Sequence, residues 1–339
     1  MQTTNITIGN KQVNYFFDAD FSYLETITPK NNTVLITDDN VFKHQPSRFE
    51  GWKTIVIKAG EEHKQQSTVD FIINELIQLG ADRKTFIVGV GGGVVTDITG
   101  YAASVYMRGL KFGFVPTTIL AMVDASIGGK NGVDVGVYKN LVGLINQPDF
   151  LLFDYTLLET LPEDQWINGF AEVIKHACIK DETLFTLLEN STLDYFQKDK
   201  VALAALIETN VNIKTKVVVE DEFEQGDRKL LNFGHTLGHA VENIYTLLHG
   251  HAISIGMVAA GGISEEINNF YSTDLERVKT LLVKYHLPIQ MDYDKAKIWE
   301  VLKLDKKKVS NEMNFVLLNK IGDATVKAIP MDQLQQLIK

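Results

Sequence analysis

Residues 86–97, Phe-Ile-Val-Gly-Val-Gly-Gly-Gly-Val-Val-Thr-Asp, read as an apolar strand, a run of glycines and the start of a helix. The strand part has no polar alternation, as expected of a strand covered on both faces of a parallel sheet. The glycines then open a helix over 94–107. A helix N-terminus reached through glycine presents backbone N–H groups and the positive end of its dipole, a geometry that receives phosphate. The glycines are contiguous, unlike the spaced dinucleotide fingerprint, so a strand-to-helix turn without a ligand stays open at this point. Asp97 falls where it can hydrogen-bond a nicotinamide ribose or a substrate hydroxyl, or serve as a dipole-favoured acid in the first turn.

Outward from this stretch the same pattern repeats. Short β-rich runs occur at 33–37 (TVLIT), 54–58 (TIVIK) and 112–115 (FGFV), and residues 67–79 carry Val69, Ile72, Ile73, Leu76 and Leu79 at helical spacing. Strands joined by crossover helices make a parallel sheet. Two earlier runs, 4–8 and 13–17, flank Gly9-Asn10 and predict a hairpin beside that sheet. From about residue 157 the pattern changes to amphipathic helices, at 165–180, 184–189, 201–219, 234–248, 252–270, 275–285 and 295–303. A closing hairpin is expected at 314–318 and 325–329, around Gly322-Asp323. The fold class is therefore α/β plus all-α, with an α/β domain over 1–156 and an α-helical domain over 157–339.

The composition narrows the function. Forty-three acidic residues against 33 Lys and Arg give a net charge of −10, which argues against a nucleic-acid footprint and for small-molecule partners. Cys178 is the single cysteine, so no internal disulfide forms and a reducing compartment is expected. Asn5, Asn10, Lys11 and Asn14 interrupt any apolar leader, and the longest uncharged apolar run, 252–263, is too short to span a membrane. These features predict a soluble, cytoplasmic protein.

Three further groups carry chemistry. Ala59-Gly-Glu-Glu-His-Lys64 and Thr117-Thr118 follow strands, at the sheet edge where open α/β folds place ligands. Arg108, Lys130, Lys139, Lys175 and Lys214 stand in glycine-rich, small-residue or apolar surroundings. Any one of them reads as a solvated lysine; the group reads as a site for a polyanionic small substrate, such as a phosphorylated sugar acid. Finally, His235 and His239 lie four apart in Asn232-Phe-Gly-His-Thr-Leu-Gly-His-Ala240, with His249-Gly-His251 and the acidic Glu172 elsewhere. Imidazole and carboxylate in this number can form a zinc-type site with open positions. Thr236 excludes the zincin motif, and spacing alone does not say which histidines bind.

The ordered motifs resemble the 3-dehydroquinate synthase family of the sugar phosphate cyclases. They are GEEHK at 60–64, GGGVVTD at 91–97, YMRG at 106–109, VPTTILAMVDASIGGKNGVD at 115–134, YKNLVG at 138–143, LETLP at 158–162, NGFAEVIK at 168–175, DRKLLNFGHTLGHAVE at 227–242, LHG at 248–250 and DKK at 305–307. The resemblance implies a Rossmann-like parallel-sheet domain followed by an α-helical metal-binding domain. It also implies NAD, one divalent metal (zinc or cobalt), and conversion of 3-deoxy-D-arabino-heptulosonate 7-phosphate into 3-dehydroquinate and phosphate. By motif position, Glu172, His235 and His249 would hold the metal and His239 would transfer protons; His251 stands where many members have glutamate. NAD would meet Asp38, Gly60, Glu61, Glu62, Lys64, Gly92, Gly93, Val94, Asp97, Thr117, Thr118, Lys130, Lys139, Leu157 and Thr160. Substrate would meet Asp124, Lys130, Asn140, Lys175, Lys214, Glu224, Arg228, Asn232 and Lys307. In the homodimer that the family implies, Arg108 would reach a neighbouring subunit's phosphate site. A sister cyclase acting on another sugar phosphate, an NAD-dependent polyol dehydrogenase, and a non-enzymatic binding or scaffold protein that retains the fold are the competing readings.

Overall fold

The structure is a computed structural model describing residues 1–136, 138–303, 308–309 and 311–338. The chain forms two compact units, one of Met1–Gln165 with Ala204–Glu222 and the other of Trp166–Leu203 with Phe223–Lys339. Among the described residues no helix is long and apolar enough to cross a membrane.

The first unit is built on nine strands: β1 (Gln2–Ile8), β2 (Lys11–Phe17), β3 (Thr33–Asp38), β4 (Lys53–Ile57), β5 (Phe86–Gly91), β6 (Lys111–Pro116), β7 (Lys130–Val135), β8 (Tyr138–Ile145) and β9 (Phe150–Phe153). Seven of them form one sheet in the order β1-β2-β9-β6-β5-β3-β4. Only the β1–β2 hairpin pairs antiparallel in it; all other neighbours are parallel. Val34, Leu35, Ile36, Ile87, Val88 and Val90 are buried, which is why those runs lack alternation. β3 has β4 on one side and β5 on the other, so the connections reverse direction there. The carboxyl ends of β3 and β5 at such a reversal are where open α/β sheets bind ligands.

Two elements were not legible beforehand. β9 is only Phe-Leu-Leu-Phe, yet it joins the hairpin to the parallel strands. Its fit comes from aromatic packing, with Phe17 stacked on Phe153 at 4.9 Å between ring centres and Phe86 on Phe150 at 5.7 Å. β7 and β8 form a separate two-stranded antiparallel ribbon across the glycine-rich stretch that holds Gly132, Gly136 and Gly143.

The compact units do not follow a single division at 156/157. The first unit continues to Gln165 and takes back the greater part of the Lys200–Glu220 helix. Val211, Val217 and Val218 of that helix are buried, Thr215 Oγ1 donates to the Tyr15 hydroxyl at 3.3 Å, and Lys214 Nζ donates to the Asp124 carbonyl at 2.6 Å. Tyr15 and Asp124 both belong to the first unit, so these bonds tie the returning helix to it.

The second unit is helical, with a three-stranded sheet of β10 (Lys308–Val309), β11 (Glu312–Lys320) and β12 (Asp323–Pro330). Ser264 Oγ accepts from the Leu318 amide at 2.9 Å, fixing β11 to the His249–Asn268 helix. The expected 234–248 helix runs only from His235 to Ile244. It crosses the His249–Asn268 helix at backbone contact: a Cβ on Gly256 would stand 1.9 Å from the Gly234 carbonyl oxygen. Glycine is required there for the two helices to approach.

Candidate active site

At the carboxyl edge of the first unit's sheet, Asp38 ends β3 and caps the Asp39–His44 helix, accepting from the Val41 amide at 2.9 Å. Burial raises its carboxyl above the usual range. Gly92 and Gly93 form the turn into the Gly93–Val105 helix, Val94 and Asp97 lie in that helix's first turns, and Thr117 follows β6 with its amide on the Gly91 carbonyl at 3.0 Å. Thr118 is half-buried and its hydroxyl accepts from the Ala121 amide at 3.1 Å. Gly60 adopts φ +111° before the short turn that carries Glu61 and Glu62. Leu157 is buried, while Thr160 is exposed and accepts from Gln45 Nε2 at 3.0 Å.

Lys64 draws this edge together. It is 4% exposed, and its Nζ meets Asp97 Oδ2 at 2.5 Å and Asn140 Oδ1 at 2.6 Å. Burial works against its charge, but the carboxylates of Asp97 and Glu61 outweigh it and hold the ammonium above the ordinary lysine range. Lys139 Nζ lies 3.2 Å from Glu61 Oε1 and 3.5 Å from Asp134 Oδ2. Elsewhere in the unit Asp124 Oδ1 pairs with Lys214 Nζ at 2.8 Å. Lys130 is exposed at the start of β7, and Arg108 is exposed with φ +68°. Five expected residues, Glu61, Lys64, Asp97, Lys139 and Asn140, thus share one polar network, whereas Asp38 and Thr160 stand outside it with bonds of their own.

The second unit gathers the histidines. The Glu163–Lys180 helix buries Glu172, Lys175 and His176 among apolar neighbours, a placement that ionisable groups tolerate only when paired. Lys175 Nζ donates to Glu172 Oε2. Glu172 Oε1 faces the other way, 3.5 Å from both His235 Nε2 and His249 Nε2. These three residues bring one ligand atom each within 4.8 Å of the others. Each histidine is turned by a partner on its other nitrogen, His235 Nδ1 by the Phe233 carbonyl at 3.1 Å and His249 Nδ1 by Glu242 Oε2 at 3.3 Å. A carbonyl or carboxylate at Nδ1 leaves Nε2 as the ligating nitrogen. Burial opposes protonation of His249, yet its bonds to Glu172 and Glu242 lift its pKa to about 10, so the pocket draws positive charge. One carboxylate and two imidazoles in a buried cluster fit a borderline-soft divalent ion.

The His239 ring centre lies 5.1 Å from that of His235, beside this group. Arg228 is buried, and Asn232 Nδ2 donates to Glu224 Oε1 at 2.5 Å, with Glu224 at φ +58°. Lys307 lies outside the described residues. Two residues escaped the reading of the sequence, Asp134 and Glu242. Both are the last residue of a quoted motif, but their contacts are long-range, and nothing in the spacing shows them.

The comparisons with known proteins point to one family. Residues 54–168 match the family described as 3-dehydroquinate synthase N-terminal, and residues 169–308 match 3-dehydroquinate synthase C-terminal. A 3-dehydroquinate synthase of Pyrococcus abyssi is 42% identical over 287 residues, 84% of each chain, and one of Campylobacter curvus is 37% identical over 332 residues, 95% of each. Among solved structures, a 2-deoxy-scyllo-inosose synthase complexed with carbaglucose-6-phosphate, NAD+ and Co2+ is 26% identical, with a TM-score of 0.85 over 99% of both chains. A 2-epi-5-epi-valiolone synthase from Streptomyces hygroscopicus with NAD+ and Zn2+ bound is 25% identical, with a TM-score of 0.88 over 99% of this chain and 98% of that one. With both halves matched in order and relatives aligned along most of their length, this chain belongs to the 3-dehydroquinate synthase family.

Proposed function

We propose that the chain is a phosphate-eliminating lyase that converts 3-deoxy-D-arabino-heptulosonate 7-phosphate into 3-dehydroquinate and phosphate, using NAD and one zinc or cobalt ion. The observation that carries this reading is the pairing, in one chain, of a glycine-edged nucleotide crevice with the Glu172, His235 and His249 cluster. The sister-cyclase reading is weaker, because the curated relatives at 36–42% identity are 3-dehydroquinate synthases, whereas the solved inosose and valiolone synthases are at 25–26%.

Glu172, His235 and His249 would hold the metal. Bound there, the metal would supply Lewis acidity toward a substrate hydroxyl, and NAD would serve as a reversible hydride acceptor with no net NADH formed. The chain's own residues bind and orient. Asp97 and Glu61 accept from ribose hydroxyls, and Lys64 and Lys139 meet the pyrophosphate, exchanging their carboxylate partners for it. Lys130, Lys175, Lys214 and Arg228 neutralise the substrate's phosphate and carboxylate, with Asn140 and Asn232 donating to its hydroxyls. His239 moves the hydroxyl proton. Since elimination and aldol closure need correct placement more than a strong acid or base, holding the sugar in one pose supplies much of the acceleration. Arg108, exposed at a chain turn, would serve the phosphate site of a second subunit in a cytoplasmic homodimer.

The test is incubation of purified protein with the heptulosonate phosphate, catalytic NAD and zinc or cobalt, following phosphate and NADH together. Phosphate release that a chelator stops, without NADH accumulating, supports the reading. Turnover of glucose 6-phosphate or sedoheptulose 7-phosphate instead would move it to a sister cyclase, and stoichiometric NADH would move it to a dehydrogenase.

A further inference from the structure

In the β7–β8 ribbon, Val133 pairs with Val142 and Val135 with Tyr138, so a step of two residues on β7 is matched by four on β8. The surplus is a bulge made of 139–141, and bulges re-aim side chains. Here they turn out Lys139 and Asn140. Asn140 adopts φ +50°, a left-handed conformation that asparagine enters more readily than most residues and that a local hydrogen bond can fix.

What fixes it is Asp134, the β7 residue skipped by the register. Asp134 Oδ1 accepts from the Asn140 amide at 2.6 Å, its Oδ2 lies 3.5 Å from Lys139 Nζ, and its own amide donates to the Lys64 carbonyl at 2.8 Å. Its side chain is 11% exposed, and a bridge to Gln65 anchors its backbone beside Lys64. Asp134 therefore joins three of the five residues of the polar edge, Asn140 and Lys139 through its carboxylate and Lys64 through its backbone amide, and Asn140 Oδ1 in turn accepts from Lys64 Nζ at 2.6 Å.

We infer that Asp134 is a positioning residue: through the bond that its Oδ1 accepts from the Asn140 amide, it holds the bulge so that Lys139 and Asn140 face the nucleotide and sugar phosphate. This rests on the function proposed above. The position needs an acceptor oxygen rather than a negative charge, so Asp134→Asn and Asp134→Ala differ. A pure charge role would make the two variants alike.

The experiment compares full-length wild type, D134N and D134A for NAD dissociation constant, for kcat and KM in phosphate release, and for amide exchange over residues 138–145. D134A is expected to raise the NAD dissociation constant and the sugar-phosphate KM about tenfold, the usual scale for one lost hydrogen bond to a charged acceptor, with kcat changed far less and exchange at Asn140 accelerated. D134N is expected to stay within about twofold of wild type in every reading, because its Oδ1 still accepts. D134A indistinguishable from an active wild type, or D134N as impaired as D134A, overturns the inference. Should D134A not fold, D134N decides alone: near-wild-type affinity with a protected Asn140 amide supports it, and a tenfold loss overturns it. Failure of the function itself is seen separately, as a wild type that releases no phosphate; the exchange contrast reads the tether regardless.

Discussion

Removing Glu242 should loosen the metal without touching a ligand. Its Oε2 is 3.3 Å from His249 Nδ1, and it is 10% exposed against 27% for His249, so the imidazole depends on this carboxylate more than on solvent for its orientation. Without it the ring can rotate or take the other tautomer, and Nε2 no longer faces Glu172 Oε1 at 3.5 Å. Carboxylates in this relation to a ligating histidine are worth about 10–100-fold in metal affinity. That is roughly 1.4–2.8 kcal/mol at 1.4 kcal/mol per tenfold. Glu242→Gln keeps an acceptor oxygen and belongs at the lower end; Glu242→Ala belongs at the upper. The assay is competition for zinc against a chromophoric chelator, with His235→Ala as the reference for a lost ligand. Both Glu242 variants within twofold of wild type would refute the reasoning. So would a loss in E242Q as large as that in H235A, because Glu242 would then be a ligand itself, as the second grouping His239, Glu242 and His249 permits.

Gly256→Ala places a methyl carbon 1.9 Å from the Gly234 carbonyl and should cost about 3 kcal/mol in urea unfolding, with weakened zinc binding; an unchanged midpoint would contradict the close helix crossing. Lys64→Met and Asp97→Asn, which separate partners 2.5 Å apart, should each destabilise the ligand-free protein by roughly 3 kcal/mol, with the double variant recovering much of the loss; additive effects would show that the pair is not coupled. The buried Tyr15 hydroxyl is pushed up to about 12 by burial, so its contribution to stability is complete below pH 10 and is lost as pH rises from 10 to 12. Over that window Tyr15→Phe should remove one proton's worth of slope, about 1.4 kcal/mol per pH unit, from the stability curve; parallel curves would show that Tyr15 ionises freely.

How much was legible follows from the range of each signal. The glycine turn at 91–93 and the strands around it were readable because burial on both faces writes an uninterrupted apolar run. Glu172, His235 and His249 could be named but not assembled: His235 and His249 belong to different helices, which meet through close approaches at Gly234, Gly238 and Gly256. β9 left no mark because four residues carry no period, and its place depends on Phe17 and Phe86 from distant strands. Asp134 and Glu242 were invisible for the same reason. A carboxylate that acts on a neighbour's backbone or ring has no spacing of its own.

The returning helix has a consequence for how the protein is made. The sheet of the first unit ends at Phe153, but the Tyr15 hydroxyl and Asp124 find Thr215 and Lys214 only when the chain has been synthesised past Glu220. During translation the nucleotide-binding half must therefore wait, incomplete, while residues 166–203 emerge. A fragment ending at residue 165 would lack Thr215 and Lys214, the partners of Tyr15 and Asp124. Order of synthesis and order of folding are thereby uncoupled in this chain: the half that begins first cannot finish first.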